Sequence, residues 1–237
     1  MSNLDIKIFQ GNSNLEYADI NIIIDVIRAF TVSYYAFKSG IEEIILASSK
    51  KEAFELKALN SSYLISGETN GYKDEGFDFG NSPYEISKAN LDKKVLIQKT
   101  TNGVAVTLNS LNAKNVFVTG YINSLSLIEY IKSMINSSSK KKYKINIIAS
   151  HPSGDDDLAC AQYIKTLLIN NETNLKELDN ITLQRISNCD ASHKFWDIKN
   201  KDFYINDLVM ALNIENSNFI MEVKKDLNNI KIIKKDY

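Results

Sequence analysis

Short apolar runs alternate with segments of helical periodicity along most of this chain, and this alternation constrains the fold more than any other feature. The runs are rich in Ile, Val and Leu and have the length of buried strands. Repeated strand-then-helix order favours parallel pairing with crossover helices. The sequence therefore predicts an α/β fold with a largely parallel sheet, or sheets, and helices on both faces. The predicted strands are 20–24, 41–47, 63–66, 95–98, 116–119 and 143–149.

Helix-start signals stand at the junctions between these segments. Ser49 and Glu52 have the spacing of a capping box, in which the first side chain accepts a hydrogen bond from the backbone N–H three residues later. Ser82, Pro83 and Glu85 repeat the pattern, with proline at the first helical position. The chain after residue 171 is less regular. The predicted helices include 25–39, one that ends at 59, 155–170, 179–187 and 203–212, with a loop over 189–201 and a mixed tail.

Composition excludes several classes of protein. The 237 residues carry 28 basic and 29 acidic side chains, so no strong field attracts nucleic acid or an anionic membrane surface. No stretch has the length of a signal peptide or a membrane span, and cytoplasm is the expected location. Cys160 and Cys189 lack CxxC spacing, which favours two free thiols over a single bridge.

We expect one domain, 1–237, or two intertwined halves of about 1–138 and 139–237. The best linker candidate is 137–142, with the sequence SSSKKK, and a solvated turn explains it equally well. A homodimer is compatible with the sequence.

Polar side chains of catalytic type follow the predicted strands. In open α/β sheets, ligands and especially anions bind at the carboxyl ends of strands and the adjoining helix N-termini. These side chains are therefore expected to converge on one pocket. They are Asp25 and Arg28 after the first strand, Glu68 after the third, Thr100, Thr101, Asn102 and Gly103 after the fourth, Gly120 and Asn123 after the fifth, and 150–157 after the sixth.

Several catalytic chemistries are excluded by the same residues. The chain has neither a nucleotide P-loop nor a GxGxxG turn, and Thr166 stands where a thiolate phosphatase built on Cys160 needs arginine. Asp25 lacks the second aspartate of the DxD phosphatases, and His151 and His193 are too few for a histidine-rich metal site. Carboxylate chemistry with magnesium remains, since Mg²⁺ prefers a few carboxylates, waters and phosphate oxygens. The candidate oxygen donors are Asp25, Glu68, Asp78, Glu85, Asp156 and Asp157.

An ordered set of motifs between residues 22 and 161 resembles the 2-phosphosulfolactate phosphatase family. It begins with a D-V-hydrophobic-R-A segment at 25–29 and continues with a GE pair at 67–68. The most distinctive block is GFDFGNSP at 76–83, followed by Glu85. A TTNG turn at 100–103, then Gly120 and Asn123, and an acidic helix start with Asp156, Asp157, Cys160 and Ala161 complete the match.

The resemblance implies a magnesium-dependent phosphatase that converts 2-phosphosulfolactate to sulfolactate, with the compact two-halved α/β fold of that family and a small anionic substrate. A metal-bound or carboxylate-activated water would attack phosphorus. The implied metal ligands are Asp25, Glu68, Asp78 and Asp156. The implied catalytic residues are Asp25, Arg28, Glu68, Asp78, Asp157 and Cys160. The implied substrate- and phosphate-binding residues are Arg28, Asn81, Ser82, Thr100, Thr101, Asn102, Gly103, Asn123 and His151.

The chain departs from the family pattern at positions that we expect to lie along the pocket. Val104 follows the TTNG turn in place of threonine, Asp156 replaces glutamate, and Gln162 replaces glycine. His151 and Pro152 precede an unusually acidic run. Two other functions therefore stay open: a hydrolase of the same fold with another substrate, either a phosphoester or a peptide-borne group, and an inactive relative that binds a ligand or partner.

Simpler structural roles also stay open for single residues. Asp25 could act only as a helix cap, or form an intrahelical ion pair with Arg28. Glu85 could serve only in a capping box, and 100–103 could be an ordinary turn. Cys160 could be a buried structural thiol.

Overall fold

The computed structural model describes residues 3–170, 173–197, 199–226 and 229–237. Within these residues the chain forms ten strands and nine α-helices. The strands are β1 (Asn3–Gln10), β2 (Ala18–Ile24), β3 (Glu43–Leu46), β4 (Leu64–Thr69), β5 (Tyr72–Lys73), β6 (Val95–Lys99), β7 (Ala113–Thr119), β8 (Lys142–Ala149), β9 (Phe219–Lys225) and β10 (Ile230–Asp236). The helices are α1 (Ala29–Lys38), α2 (Lys50–Leu59), α3 (Pro83–Lys88), α4 (Gly103–Leu108), α5 (Ser124–Asn136), α6 (Asp155–Ile169), α7 (Leu175–Asn188), α8 (Asp190–His193) and α9 (Ile205–Leu212).

The described strands form one sheet in the order β1-β8-β2-β7-β9-β10-β3-β6-β4-β5. Strands β1, β8, β2 and β7 are parallel, and so are β3, β6 and β4. The antiparallel pair β9–β10 joins the two parallel blocks, and β5 adds a short antiparallel edge. The prediction of an α/β fold with a largely parallel sheet and helices on both faces is confirmed.

Three buried apolar clusters show how the helices cover the sheet. The first contains side chains of β2, β7 and β8 with those of α5 and α6. The second contains α1 and α4 together with side chains from both parallel blocks. The third packs α2 against β3, β4 and β6. Helices α1 and α4 therefore lie in contact with both blocks, and this brings the segment after β2 close to the segment after β6.

Local capping chemistry determines where helices begin. The Ser49 hydroxyl accepts a hydrogen bond from Glu52 N at 3.1 Å, and the Ser82 hydroxyl accepts one from Glu85 N at 3.1 Å, as the sequence predicted. The prediction that the first helix begins at residue 25 was wrong, since α1 begins at Ala29. Asp25 precedes it and accepts a hydrogen bond from Ala29 N at 2.8 Å.

Several elements escaped prediction. Strand β1 carries polar side chains at alternate positions, and β9 and β10 lie in the segment that was predicted as a mixed tail. Helix α7 is longer than predicted, and the supposed loop over 189–201 contains α8 and a turn of 3-10 helix at 194–196. Residue 198 of that loop lies outside the described residues, as does 171, the point from which the C-terminal third was judged irregular.

Both cysteines are buried and free. Among the described residues no helix is long and apolar enough to cross a bilayer. The single domain of 1–237, and its division near residue 138, stay predictions.

Candidate active site

A cavity of about 680 Å³ opens where the chain leaves β2, β4, β6 and β8. The C-terminal segment around α8 closes its other side. Its lining is acidic, and the acids come from separate parts of the chain. The lining residues that the sequence also predicted as site residues are Asp25, Arg28, Glu68, Asn81, Thr101, Asn102, His151, Asp156 and Asp157.

Asp25 stands directly after β2 and is 6% exposed. Its Oδ1 accepts a hydrogen bond from Ala29 N, and its Oδ2 lies 3.2 Å from the Ser150 hydroxyl. Gly103 packs against it so closely that an added Cβ would come within 2.6 Å of Oδ2. Burial raises the pKa of Asp25 to about 6, and the charges of Asp156 and Glu68 add to the rise.

Asp157 joins the ends of β2 and β8. Its Oδ1 accepts from Val26 N at 2.8 Å, and its Oδ2 accepts from His151 N at 3.0 Å. The Ser150 hydroxyl lies 3.0 Å from the same Oδ2, so Ser150 bridges Asp157 and Asp25. Burial, followed by the charges of Asp156 and Asp25, raises the pKa of Asp157 well above its ordinary value. Asp157 therefore holds together the segments that follow β2 and β8, and both segments line the cavity.

Glu68 connects two segments in the other parallel block, as Asp157 does in the first block. Its carboxylate accepts hydrogen bonds from Thr101 N at 2.5 Å, from the Thr101 hydroxyl at 3.0 Å and from Gly71 N at 2.5 Å. These contacts connect the end of β4 to the TTNG turn after β6. Glu68 is 5% exposed, so the carboxylate faces the cavity from a rigid, buried position.

Asp156 lies in the first turn of α6 and is 4% exposed. Burial raises its pKa to about 6, while the backbone amides at the start of α6 and at Ile27 oppose the rise. Gly154 packs beside it, and an added Cβ there would approach its Oδ1 to 2.9 Å. Within the described residues no hydroxyl, lysine or arginine donates a hydrogen bond to this carboxylate.

The cavity thus brings four buried carboxyl groups together. Among the described residues none of Asp25, Glu68, Asp156 and Asp157 forms an ion pair with Lys or Arg. Buried charges of one sign are normally paired or bound to a metal ion. In the described part of the chain, no group of three or more His, Cys, Asp or Glu side chains converges so that it could hold a metal ion. The donors present are carboxylate oxygens, and Mg²⁺ takes one or two carboxylates together with waters and substrate oxygens. The residues present fit a divalent cation of this kind.

Arg28 lines the cavity but is held tightly by its neighbours. Its Nη1 donates to Asp207 Oδ2 at 2.9 Å and to the Asp202 carbonyl at 2.6 Å, and its Nη2 donates to the Gly71 carbonyl at 2.9 Å. The guanidinium also lies over the rings of Phe195 and Phe203. Burial raises the pKa of Asp207, and the charge of Arg28 opposes that rise. The intrahelical pair of Arg28 with Asp25, left open by the sequence, does not form.

Comparison with known proteins gives the family. A family model described as "2-phosphosulpholactate phosphatase" matches residues 8–226. A Bacillus subtilis (strain 168) protein named "Probable 2-phosphosulfolactate phosphatase" is 43% identical over 224 residues, which cover 94% of this chain and 95% of the relative. Proteins of the same name from Clostridium novyi (strain NT) and Carboxydothermus hydrogenoformans are 32% and 34% identical, over 63% and 62% of this chain and 63% and 59% of their own lengths. The chain belongs to the 2-phosphosulfolactate phosphatase family. The predicted enzyme class, a phosphoric monoester hydrolase, is confirmed.

Several residues of the family motifs lie just behind the cavity lining. The Thr100 hydroxyl accepts a hydrogen bond from Val104 N at 3.0 Å, so it caps α4. The Ser82 hydroxyl donates to Asp207 Oδ1 at 2.6 Å and so connects α3 to α9. Gly103 gives Asp25 the space that it occupies. These residues hold lining residues in place.

Three predicted site residues of the family pattern lie away from the cavity. Asp78 pairs with Lys57 at 2.6 Å and accepts a hydrogen bond from Ile65 N at 2.7 Å. Asn123 Oδ1 accepts from Gly120 N at 3.2 Å and binds the Thr119 hydroxyl at 3.0 Å.

The third predicted site residue that lies away from the cavity is Cys160. It is part of α6 and is fully buried in the apolar cluster that α6 shares with β2, β7 and β8. Burial, with the charges of Asp157 and Asp156, raises its thiol pKa well above the ordinary value.

Some of the departures from the family pattern line the cavity, and others lie away from it. Asp156, His151 and Pro152 line the cavity. Val104 is buried in the apolar cluster around α1, and Gln162 lies on the exposed side of α6, where it accepts a hydrogen bond from Arg185 Nη1. The expectation that all these positions surround the pocket was wrong for 104 and 162.

The C-terminal segment contributes to the cavity, and the sequence motifs did not predict this contribution. Lys194, Phe195 and Phe203 line the cavity, and Asp207 holds Arg28. The sequence contains little indication of these roles, because the family motifs end near residue 161. Ser150 was noted only as part of an acidic run, although its hydroxyl bridges two aspartates.

Proposed function

We propose that this chain is a magnesium-dependent hydrolase of 2-phosphosulfolactate, a small anionic phosphomonoester. The observation that carries the metal dependence is the set of four buried cavity carboxylates without a Lys or Arg partner in the described residues. The proposed substrate is the one in the name of the relatives, including one that is 43% identical over nearly the whole chain.

Asp25 and Asp156 are the proposed ligands of the ion. Among the described residues, Asp25 Oδ2 has its hydrogen bond with the Ser150 hydroxyl, and Asp156 accepts from backbone N–H groups but from no side chain. Asp157 and Glu68 are proposed as positioning residues, since both carboxylate oxygens of each already accept a backbone N–H. A bound magnesium ion would neutralise phosphate charge and make a nearby water more acidic. Asp78 is left out of this proposal.

The remaining lining residues are suited to an anion with several charged groups. Lys194, in the C-terminal segment, is the lysine of the lining in the described residues. Asn81 is 7% exposed, and its Oδ1 is buried without a hydrogen-bond partner in the described structure, so it offers an acceptor to a substrate hydroxyl or bound water. Thr101 and Asn102 also line the cavity. Arg28 contributes positive charge from a fixed position.

The attack on phosphorus needs a water and a proton acceptor. The carboxylates of the cavity outside the proposed ligand pair, Glu68 and Asp157, are the candidates for the proton acceptor. Ser150 holds the orientation of two of the carboxylates through its single hydroxyl. The rings of Phe195 and Phe203 form an apolar part of the lining on the C-terminal side.

The test is phosphate release from 2-phosphosulfolactate by the purified chain, with and without magnesium. We expect magnesium-dependent turnover that falls by a factor of 10² or more, on the order of other lost active-site groups, in Asp25→Asn. Asp92→Asn is the matched control, because Asp92 is exposed and lies away from the cavity. No turnover from a folded, magnesium-binding protein would contradict the substrate and leave a phosphatase for another phosphomonoester.

A further inference from the structure

Strand β1 forms one edge of the sheet. It pairs with β8 along its whole length, and no other described strand pairs with its outer side. Unpaired edges are ready to add a strand from another chain, and soluble proteins usually bury or protect them. β1 is eight residues long and carries just two charged side chains, Asp5 and Lys7.

The backbone hydrogen bonds show which groups of β1 point outward. Asn3 N donates to the Lys141 carbonyl at 2.8 Å, and Gly11 N donates to the Ala149 carbonyl at 2.9 Å. In a regular strand the N–H and C=O groups of one residue point to the same side and alternate along the chain. The odd-numbered residues of β1 therefore face β8, and Leu4, Ile6 and Ile8 present their backbone groups to the outside.

The outward groups limit how a second copy of β1 can pair with the first. An antiparallel pair related by a twofold axis must place even-numbered residues opposite each other. With the axis at Ile6, Leu4 lies opposite Ile8 of the second copy, and Asp5 lies opposite Lys7 on both sides of the axis. A shift of the axis to Asp5 or Lys7 would place like charges opposite each other, which is unfavourable.

The apolar face of β1 agrees with this register. Leu4, Ile6 and Ile8 alternate with the charged residues, so they share the face that packs against the cluster beneath α6. Leu4 and Ile8 are only half-buried there. In the twofold pair, Leu4 of one copy and Ile8 of the other cover each other across the new strand contact. The sheet of one copy then continues into the sheet of the second.

We propose that two copies of this chain form a homodimer through antiparallel pairing of their β1 strands about Ile6, with reciprocal Asp5–Lys7 contacts. Lys7 forms no ion pair in the described residues, although it lies near Glu16, which pairs with Lys144. No described residue of β1 lines the cavity, so each copy keeps its own site.

The test compares the mass of the untagged full chain in solution with that of charge variants, by light scattering after size exclusion over a range of concentrations. We expect twice the chain mass of 26.8 kDa for the unaltered protein. Asp5→Lys alone and Lys7→Asp alone each place like charges opposite, and each raises the dissociation constant by roughly 10-fold or more. The double exchange D5K/K7D restores opposite charges and recovers the dimer.

A mixture of the two single variants gives the sharpest outcome. The Asp5→Lys chain carries lysine at both positions and the Lys7→Asp chain carries aspartate at both, so they form a heterodimer together while neither forms a homodimer as well as the unaltered chain. A monomeric unaltered chain at tens of micromolar overturns the proposal. So does a dimer whose dissociation constant is unchanged in both single variants. Phosphatase activity and thermal unfolding of each variant show that it is folded.

Discussion

At the scale of the residue, the buried aspartates of the cavity combine a functional position with a cost in stability. Asp25 has a pKa of about 6 because its charged form is poorly solvated and lies near other acids. A raised carboxyl pKa means that the folded state binds the proton more tightly than the unfolded chain. The associated stabilisation is present at low pH, and it is lost as the pH rises through about 6.

Replacement of Asp25 by asparagine is therefore expected to stabilise the metal-free protein at pH 7.5 while it abolishes turnover. Asparagine can still accept from Ala29 N and can donate to the Ser150 hydroxyl. The expected gain in the free energy of unfolding is on the order of 1–2 kcal/mol. Urea unfolding in the presence of a chelator at pH 7.5 and pH 4.5 checks this. The gain should shrink at pH 4.5, and a variant less stable than the unaltered protein at both pH values would contradict the assignment.

The role of Lys194 in substrate binding can also be tested with a single substitution. Its side chain faces the cavity and is not paired with an acid in the described residues. We expect Lys194→Met to raise KM for the phosphomonoester about 10-fold or more, with a smaller change in kcat, because the lysine binds ground state and transition state alike. Lys176→Met, on the exposed side of α7, is the matched control. A fall in kcat alone would argue against this binding role.

At the scale of the element, one buried ion pair attaches the C-terminal segment to the cavity. Arg28, just before α1, bonds Asp207 in α9, and both side chains are almost fully buried. The same aspartate accepts from the Ser82 hydroxyl and from Tyr84 N at the start of α3. One carboxylate thus fixes three elements, and its loss leaves the Arg28 charge without a partner in a buried place.

Asp207→Asn is expected to lower the free energy of unfolding by about 3 kcal/mol, the range for breaking one partner of a buried pair. The exposed pair Lys51–Glu55 in α2 supplies the comparison, and Lys51→Met should cost less than about 1 kcal/mol. Chemical unfolding of both variants measures the difference. Hydrogen exchange should also become faster in 203–212. Equal losses in the two variants would show that burial does not distinguish the pairs.

At the scale of the whole molecule, the cavity is built from segments far apart in the chain, so cation binding should be linked to global stability. A ligand that binds only the folded state at about 100 times its dissociation constant adds roughly 2.7 kcal/mol. We expect magnesium to raise the melting temperature of the unaltered protein and to have a much smaller effect on Asp156→Asn. Calorimetry with magnesium, and with sodium at equal ionic strength, separates binding from screening. Equal shifts with both salts would contradict a specific site.

The predicted strands and caps were accessible because they depend on local chemistry. The runs that became β2, β6 and β8 are apolar enough to be buried on both faces, and Ser49 and Ser82 cap helices through bonds within three residues. Strand β1 was missed because its alternating polar side chains mark an edge. The tail strands β9 and β10 were missed because neither continues a strand-then-helix repeat.

Local periodicity and ordered motifs were enough to predict the fold class, the family and the acids that follow the strands. Which of those acids share a cavity became known from the three-dimensional arrangement of the chain. Asp25, Glu68, Asp156 and Asp157 meet there, whereas Asp78 lies in an ion pair with Lys57. It also brought Lys194 and Asp207 to the site from a segment without a motif. The physical reason is that convergence depends on how two parallel blocks pack around α1 and α4, and that packing is a property of distant contacts.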